Sequence, residues 1–397
     1  MTPADDPHTT EFIVEMARAL AAHGAPAHRL ENAMSRCAER IGLRAEFFAT
    51  PTAVFASIGE GSNNITRLVR VESADLNLDR LARLDAILGD VSTGRISPGE
   101  ARERISEARR HPAPWPAAAQ LAAFAVAAST AARFFGGGWR EIAASALAGL
   151  GVGALALLAA RRRRLARVIE FVSGVLVALI AAATPATDTQ TVIVSGLIVL
   201  IPGLSLTIAM SEIASRNIVA GSARLIGAFT IFAIIAFGVA TGDAIAPAGH
   251  LPGEPVPLPP VTLWIALAIA PVALTVLFNA AARDMPAIAL VSVAGFLAAR
   301  FVGDVTGTAL AVAAGALVVG IISNIRAVRA DRPVAVCAIP GIMLLVPGSI
   351  GFRSLSAFLD QQAVRGLEAA VLAVSVALAL ATGLLLANVL VPANREM

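Results

Sequence analysis

The chain changes character near residue 115. Before it, apolar residues are scattered among charged ones; after it, they run in long blocks joined by short polar segments. In the first stretch Phe12, Val14, Met16, Ala19 and Leu20 lie near helical spacing, and Leu30, Ala33, Met34, Cys37 and Ile41 resume the pattern after Gly24 and Pro26. This predicts a helical segment over 10–41, broken at that Gly/Pro site. The runs AEFFA, TAVFASI and ITRLVRV follow, separated by Thr50-Pro51 and by GEGSNN, and predict three strands. Helices are expected again over 75–92 and 97–110, where Ser97-Pro98 with Glu100 three residues after the serine predicts a capping box. The result is a small soluble α+β domain, residues 1–115, closed by HPAPWP at 111–116, with Trp115 suited to a membrane interface.

A spanning helix needs about 20 mostly apolar residues. Ten segments meet this, near 117–135, 141–160, 168–184, 191–214, 223–242, 261–280, 285–302, 307–325, 334–358 and 366–391. The proline-rich stretch 243–260 divides them five and five. The two halves share a mark: Pro202-Gly203 in the fourth segment, Pro347-Gly348 in the ninth, and Gly221 and Gly366 beyond them, all at an offset of 145 residues. An odd number of spans per half inverts the repeats in the membrane, an architecture common among secondary transporters. The expected fold class is therefore a membrane all-α body of about ten transmembrane helices in two five-helix inverted repeats, residues 116–243 and 261–397, behind the soluble domain.

Composition and charge sharpen this. The chain is 57% hydrophobic and 15% charged, against about 25% charged in average soluble chains. Residues 1–115 hold 14 of the 31 basic residues and 16 of the 28 acidic ones, so the basic excess belongs to the membrane body and does not imply nucleic acid. The even-numbered connections between spans, RRRRLAR at 161–167 among them, carry eleven arginines, while 243–260 carries none. By the positive-inside rule both termini are expected in the cytoplasm and 243–260 outside. The opening MTPADDPHTTEF is acidic and polar, unlike a secretory leader. Cys37 and Cys337 sit in bodies of different type, so neither a disulfide nor a metal site is expected. His23 and His28 lie five apart, off the i, i+4 spacing of a helical metal pair, and the solvated face of a helix is preferred for them over a hydrolytic site.

A Pro-Gly pair inside a span removes an N–H and lets the backbone bend. Broken backbone at membrane depth is tolerated where it is buried in protein or lines a water-filled cavity. Half-helix ends there offer N–H groups to an anion and carbonyls to a cation, the two partners of a zwitterionic amino acid. The candidate substrate-binding or gating residues are thus Pro202, Gly203, Ser205, Thr207, Ser211, Pro347, Gly348 and Arg353. Thr207 and Ser211, four apart, share a helix face, and Arg353 offers a fork to a carboxylate. Asn279 and Asn324 lie late in apolar spans. For proton coupling the candidates are carboxylates, Glu212 first, as the acid closest behind Thr207 and Ser211 and expected to continue their polar face on the broken helix, then Glu170 beside the arginine cluster.

At these residues the chain resembles the bacterial threonine/serine exporter family. The resemblance rests on HGAPAHRLENAMSRCAERIGL, the PT of ATPTAVFASI, TRLVRV and the helix before GRISPGEA, and in the membrane part on IPGLSLTIAMSEIASRNIVAGSARL and IPGIMLLVPGSIGFRSL. It implies a cytoplasmic N-terminal domain, ten spans in the bacterial cytoplasmic (inner) membrane, and export of L-threonine and L-serine driven by the proton gradient. Relatives that split the two halves into separate chains are linked to dicarboxylates such as succinate. No motif carries catalytic residues over. The expected partners are a small amino acid, protons and the lipid bilayer, with no cofactor and no nucleic acid; a homo-oligomer is compatible. No G-x-x-x-x-G-K-[ST] loop occurs, which argues against ATP-driven transport by this chain alone. The competing classes are a membrane-bound enzyme hydrolysing through the 1–115 domain, and a channel.

Overall fold

The computed structural model describes residues 7–59, 64–71, 76–246, 253–345 and 363–392. The N-terminal domain runs α1 (Pro7–Ala22), α2 (Ala27–Arg40), β1 (Ala45–Thr50), β2 (Ala53–Ile58), β3 (Ile65–Arg70), α3 (Leu78–Ser92) and α4 (Pro98–Arg110). The expected break divides the 10–41 segment into α1 and α2: Gly24 takes φ +87 and Pro26 precedes the first residue of α2. Ala27, Leu30, Ala33, Met34, Cys37 and Ala38 form one buried stripe on α2. They share one core with Val54, Ala56 and Ile58 from the inner face of the antiparallel sheet, whose order is β1-β2-β3. On its outer face Phe48 stands opposite Phe55 and Phe55 opposite Leu68, all three exposed. Half of the expected capping box forms: Ser97 accepts the Glu100 N–H at 3.2 Å, while the Glu100 carboxylate pairs with Arg104 at 2.8 Å.

The remainder is mostly helical: α5 (Ala117–Phe134), α6 (Trp139–Ala159), the single turn α7 (Arg163–Ala166), α8 (Ile169–Ala183), α9 (Thr189–Gly196), α10 (Gly203–Ala214), α11 (Ile218–Ile245), α12 (Val261–Leu277), α13 (Met285–Gly303), α14 (Thr308–Ala330), α15 (Ala335–Met343) and α16 (Ala363–Leu390). Among the described residues, six helical stretches are long and apolar enough to cross a membrane: Ala117–Phe134, Trp139–Ala159, Ile218–Ile245, Ala282–Gly303, Thr308–Ala330 and Val371–Leu390. Ile169–Ala183, Gly203–Ala214 and Val261–Leu277 are apolar but shorter.

The fourth expected segment is two short helices, α9 and α10, separated by residues 197–202. Pro202, which has no N–H to give, starts α10 as its N-cap. The gap keeps part of its hydrogen bonding local, with the N–H groups of Leu200 and Ile201 both donating to the Leu197 carbonyl at 2.9 and 3.0 Å. In the second half, α15 contains Pro340 and ends at Met343. Pro347, Gly348 and Arg353 lie outside the described residues.

The offset of 145 residues recurs in the helix bounds. Shifted by it, α11 takes the bounds of α16, and α5, α6 and α9 fall within two residues of α12, α13 and α15. α8 packs on α11 as α14 packs on α16. A Cβ added at Gly238 of α11 would stand 2.4 Å from the Phe171 carbonyl oxygen of α8, and one at Gly383 of α16, 145 residues on, 2.4 Å from the Ala313 oxygen of α14. Each glycine lets two backbones approach closely.

Helix ends join the N-terminal domain to the membrane body. Leu78 and Asp79, first in α3, donate their N–H groups to the carbonyls of Phe278 (2.9 Å) and Asn279 (3.1 Å) just past the end of α12. Unpaired donors at one helix start thus meet unpaired acceptors at another helix end. Trp115 donates its ring Nε1–H to Ala280 O at 2.8 Å, beside the same helix end.

Candidate functional site

α10 has two polar aspects. Leu204, Thr207, Ile208 and Ser211 face a cavity of about 70 Å³, closed by α14, α15 and α16 and by the corner between α1 and α2. A buried water needs roughly 10–15 Å³ of such space, so the cavity holds a few waters or a molecule of similar heavy-atom count. Its walls are mainly apolar, Ala338, Ile339 and Ile342 of α15 among them. The polar groups are few, as in sites where a handful of polar atoms orient a ligand. Thr207 is buried and its hydroxyl donates to Gly203 O at 3.1 Å, which leaves oxygen lone pairs free to accept.

Ser205 is turned away from this cavity. It lines a second one, of about 200 Å³, with Arg224, Thr50 and Pro51. Gly24 and Ala25, at the α1–α2 corner, border both cavities. The corner therefore stands between them as a partition.

Glu212 lies fully buried beside that partition. It takes the Arg224 fork in both directions, Nε to Oε2 and Nη2 to Oε1, each at 3.0 Å. Its Oε1 also accepts the Ala27 N–H at 3.0 Å, the start of α2. A carboxylate at a helix N-terminus faces the positive end of the helix dipole. A second contact runs alongside, with Asn217 Nδ2 donating to Glu31 Oε2 at 3.0 Å. Glu212 lines neither cavity, so the single polar face expected for Thr207, Ser211 and Glu212 is two faces. Consecutive helix residues are turned by about 100°, which places 212 well off the 207–211 line. Glu170 is half-buried in the first turn of α8, behind the arginines at 161–164, and also lines neither cavity.

Asn324 of α14 is fully buried on the wall of the first cavity. Its Nδ2 is held by acceptors at the end of α16: Asn388 Oδ1 at 2.9 Å, Val391 O at 2.8 Å and Ala387 O at 3.4 Å. Its Oδ1 has no hydrogen-bond partner among the described residues. Leaving a buried acceptor unpaired costs about 1–3 kcal/mol, which calls for an explanation. From the domain side His28 reaches the same cavity, and its buried Nδ1 is also unpaired among the described residues. Burial first, then the charges of Arg29 and Arg224, pushes the His28 pKa down from 6.5 to about 4, so the ring is neutral. His28 was legible only as a polar residue on a helix; its place in the cavity depends on how the domain docks.

The threonine/serine exporter family model matches residues 11–246, more than half of the chain, and a second model, also described as threonine/serine exporter, matches 263–390. The chain belongs to the threonine/serine exporter family. Both matches include helices that build the first cavity, with α10 in the first and α14, α15 and α16 in the second. Among curated proteins it is similar to pheromone-regulated membrane protein 10 of the yeasts Eremothecium gossypii (26% identical over 364 residues, 86% of this chain and 48% of the relative) and Debaryomyces hansenii (26% over 378 residues, 88% and 37%). That of Yarrowia lipolytica is 26% identical over 361 residues, 85% of this chain and 30% of the relative. The exporter-family chain thus spans less than half of the length of these relatives. No solved structure matches it.

Proposed function

We propose that this chain is a secondary exporter of small hydroxy amino acids, L-threonine and L-serine, driven by the proton gradient across a bacterial inner membrane. Ten spans in two inverted five-helix repeats carry it, with both termini and the N-terminal domain in the cytoplasm. The helix bounds recurring at 145 residues and the matched close-packing glycines support the repeat. The arginines at 161–167 support the orientation. The observation that carries the functional reading is the first cavity. It lies against a broken helix, is lined by the Thr207 and Ser211 hydroxyls and the Asn324 amide, and is closed on the domain side by the α1–α2 corner. Substrate enters from the cytoplasm when the corner withdraws, and leaves by way of the 197–202 gap. Glu212 carries the proton, because protonating it weakens its hold on Arg224 and on Ala27 and so loosens the corner.

The test is flux. Purified protein in proteoliposomes loaded with labelled threonine should release it saturably, faster under an imposed pH difference. Succinate release without threonine or serine release would reassign the substrate. Hydrolysis in detergent without flux in vesicles would favour an enzyme.

A further inference from the structure

We propose that Asn324 Oδ1 and His28 Nδ1 together receive the ammonium group of the transported amino acid, so that the N-terminal domain supplies part of the binding site itself. This rests on the exporter reading above and deepens it.

The argument starts from Asn324. Its three Nδ2 contacts lie at the end of α16, on Asn388, Val391 and Ala387. They settle which end of the amide is which, since the Val391 and Ala387 carbonyls only accept and only the N–H₂ end of the amide donates. The oxygen is left as a buried acceptor without a partner among the described residues, in a side chain that lines the cavity. An acceptor fixed in this way fits a donor that arrives and departs, which is the behaviour of a transported substrate.

His28 supplies the second acceptor. With its proton on Nε2, a neutral imidazole presents a lone pair at Nδ1. That atom is buried and unpaired among the described residues, and the residue borders the same cavity from the opposite body. Of the groups on a hydroxy amino acid, the carboxylate has only acceptors to offer and is repelled by both atoms. The ammonium has three donors and no acceptor, and these two atoms accept from it; it arrives with its own carboxylate in one zwitterion, which offsets the Arg29 and Arg224 charges that keep the His28 ring neutral. The Thr207 hydroxyl, whose oxygen is free to accept, and the Ser211 hydroxyl are left for the substrate's own hydroxyl. Ala338, Ile339 and Ile342 surround its carbon skeleton.

The experiment compares ligands as well as variants, because Asn324→Leu also unties the end of α16 and risks misfolding. Labelled-threonine flux in proteoliposomes of the full chain is competed with unlabelled L-threonine, L-threonine methyl ester and N-acetyl-L-threonine. L-Threonine and the methyl ester, which keep the ammonium, should compete. N-Acetyl-L-threonine should compete at least about tenfold more weakly, the loss expected when hydrogen bonds to a charged group are removed. His28→Ala, whose side chain has no structural bond to Asn324, should raise the half-saturation concentration for threonine about tenfold while vesicles retain threonine-dependent flux. Equal competition by N-acetyl-L-threonine, or an unchanged half-saturation concentration in His28→Ala, overturns the inference with the exporter reading intact. Absence of any threonine flux in the unaltered protein overturns the reading beneath it.

Discussion

Glu212 on α10 accepts the backbone N–H of Ala27 at 3.0 Å, across 185 residues of chain. One buried carboxylate thereby caps the first turn of a helix in the N-terminal domain and holds the Arg224 guanidinium of the membrane body. With three donors on its two oxygens, any change in its charge is felt in both bodies. The α1–α2 corner that Ala27 follows is the partition between the two cavities, so the contact ties the state of an acid to the closure of a site.

Glu212→Gln tests this. The amide oxygen can still accept from Ala27, but the charge that held Arg224 is gone. Removing one partner of a buried pair typically costs about 3–5 kcal/mol, so the melting temperature should fall. Proton-driven accumulation of threonine should be lost while exchange of labelled for unlabelled threonine persists. A variant that still builds a gradient from an imposed pH difference excludes Glu212 as the coupling group, and Glu170→Gln is then measured in the same assay.

Gly238 and Gly383 give a test of the repeat that does not depend on transport. A methyl at either position meets a carbonyl oxygen at 2.4 Å. Gly238→Ala and Gly383→Ala should each destabilise the protein by about 1–3 kcal/mol, the usual cost of overpacking. Gly227→Ala, on the same helix as Gly238 but with open space at its Cβ, should lie close to the unaltered protein. Thermal melts in detergent read all three. Equal melting temperatures for Gly227→Ala and the other two would remove the close-packing argument.

The sequence made the local chemistry legible. A Pro-Gly pair announces a broken helix because the cause is in the residues themselves, and residues 197–202 interrupt the helix as expected. The offset of 145 was visible in Pro202, Gly203 and Gly221, and it recurs in helix bounds that no single residue encodes. What could not be read were relationships made by docking. Glu212 was expected to extend the face of Thr207 and Ser211, but its partners lie at Arg224 and at Ala27, in another domain. Asn324 stood out as polar in an apolar span, yet the direction of its oxygen is set by α16, 63 to 67 residues later.

Orientation is open to direct labelling. Cys37 and Cys337 are both buried, so the background should be low. A cysteine at Val256, which is 70% exposed in the stretch before α12, should react with an impermeant maleimide on intact spheroplasts. A cysteine at the exposed Arg164 should react only in inverted vesicles. The opposite pattern would invert the proposed topology and place the N-terminal domain outside.

His28 makes stability depend on pH in a definite direction. Its pKa in the folded protein is about 4, against 6.5 in the free state, because burial and the charges of Arg29 and Arg224 disfavour the imidazolium. Between these values the unfolded chain binds the proton and the folded chain does not. Stability contributed by the neutral ring is therefore complete above about pH 6.5, and is lost as pH falls toward 4. Arg224 belongs to the membrane body, so the same proton opposes docking of the domain as well as its folding. Melting temperatures measured from pH 7.5 to 4.5 should fall more steeply for the unaltered protein than for His28→Asn, which carries no titrating group there. Parallel curves would mean that other groups set the acid limb and that His28 is hydrated in solution. A steeper curve for the unaltered protein, with a midpoint that moves when Arg224 is replaced by methionine, would place the titrating ring at the junction of domain and membrane body.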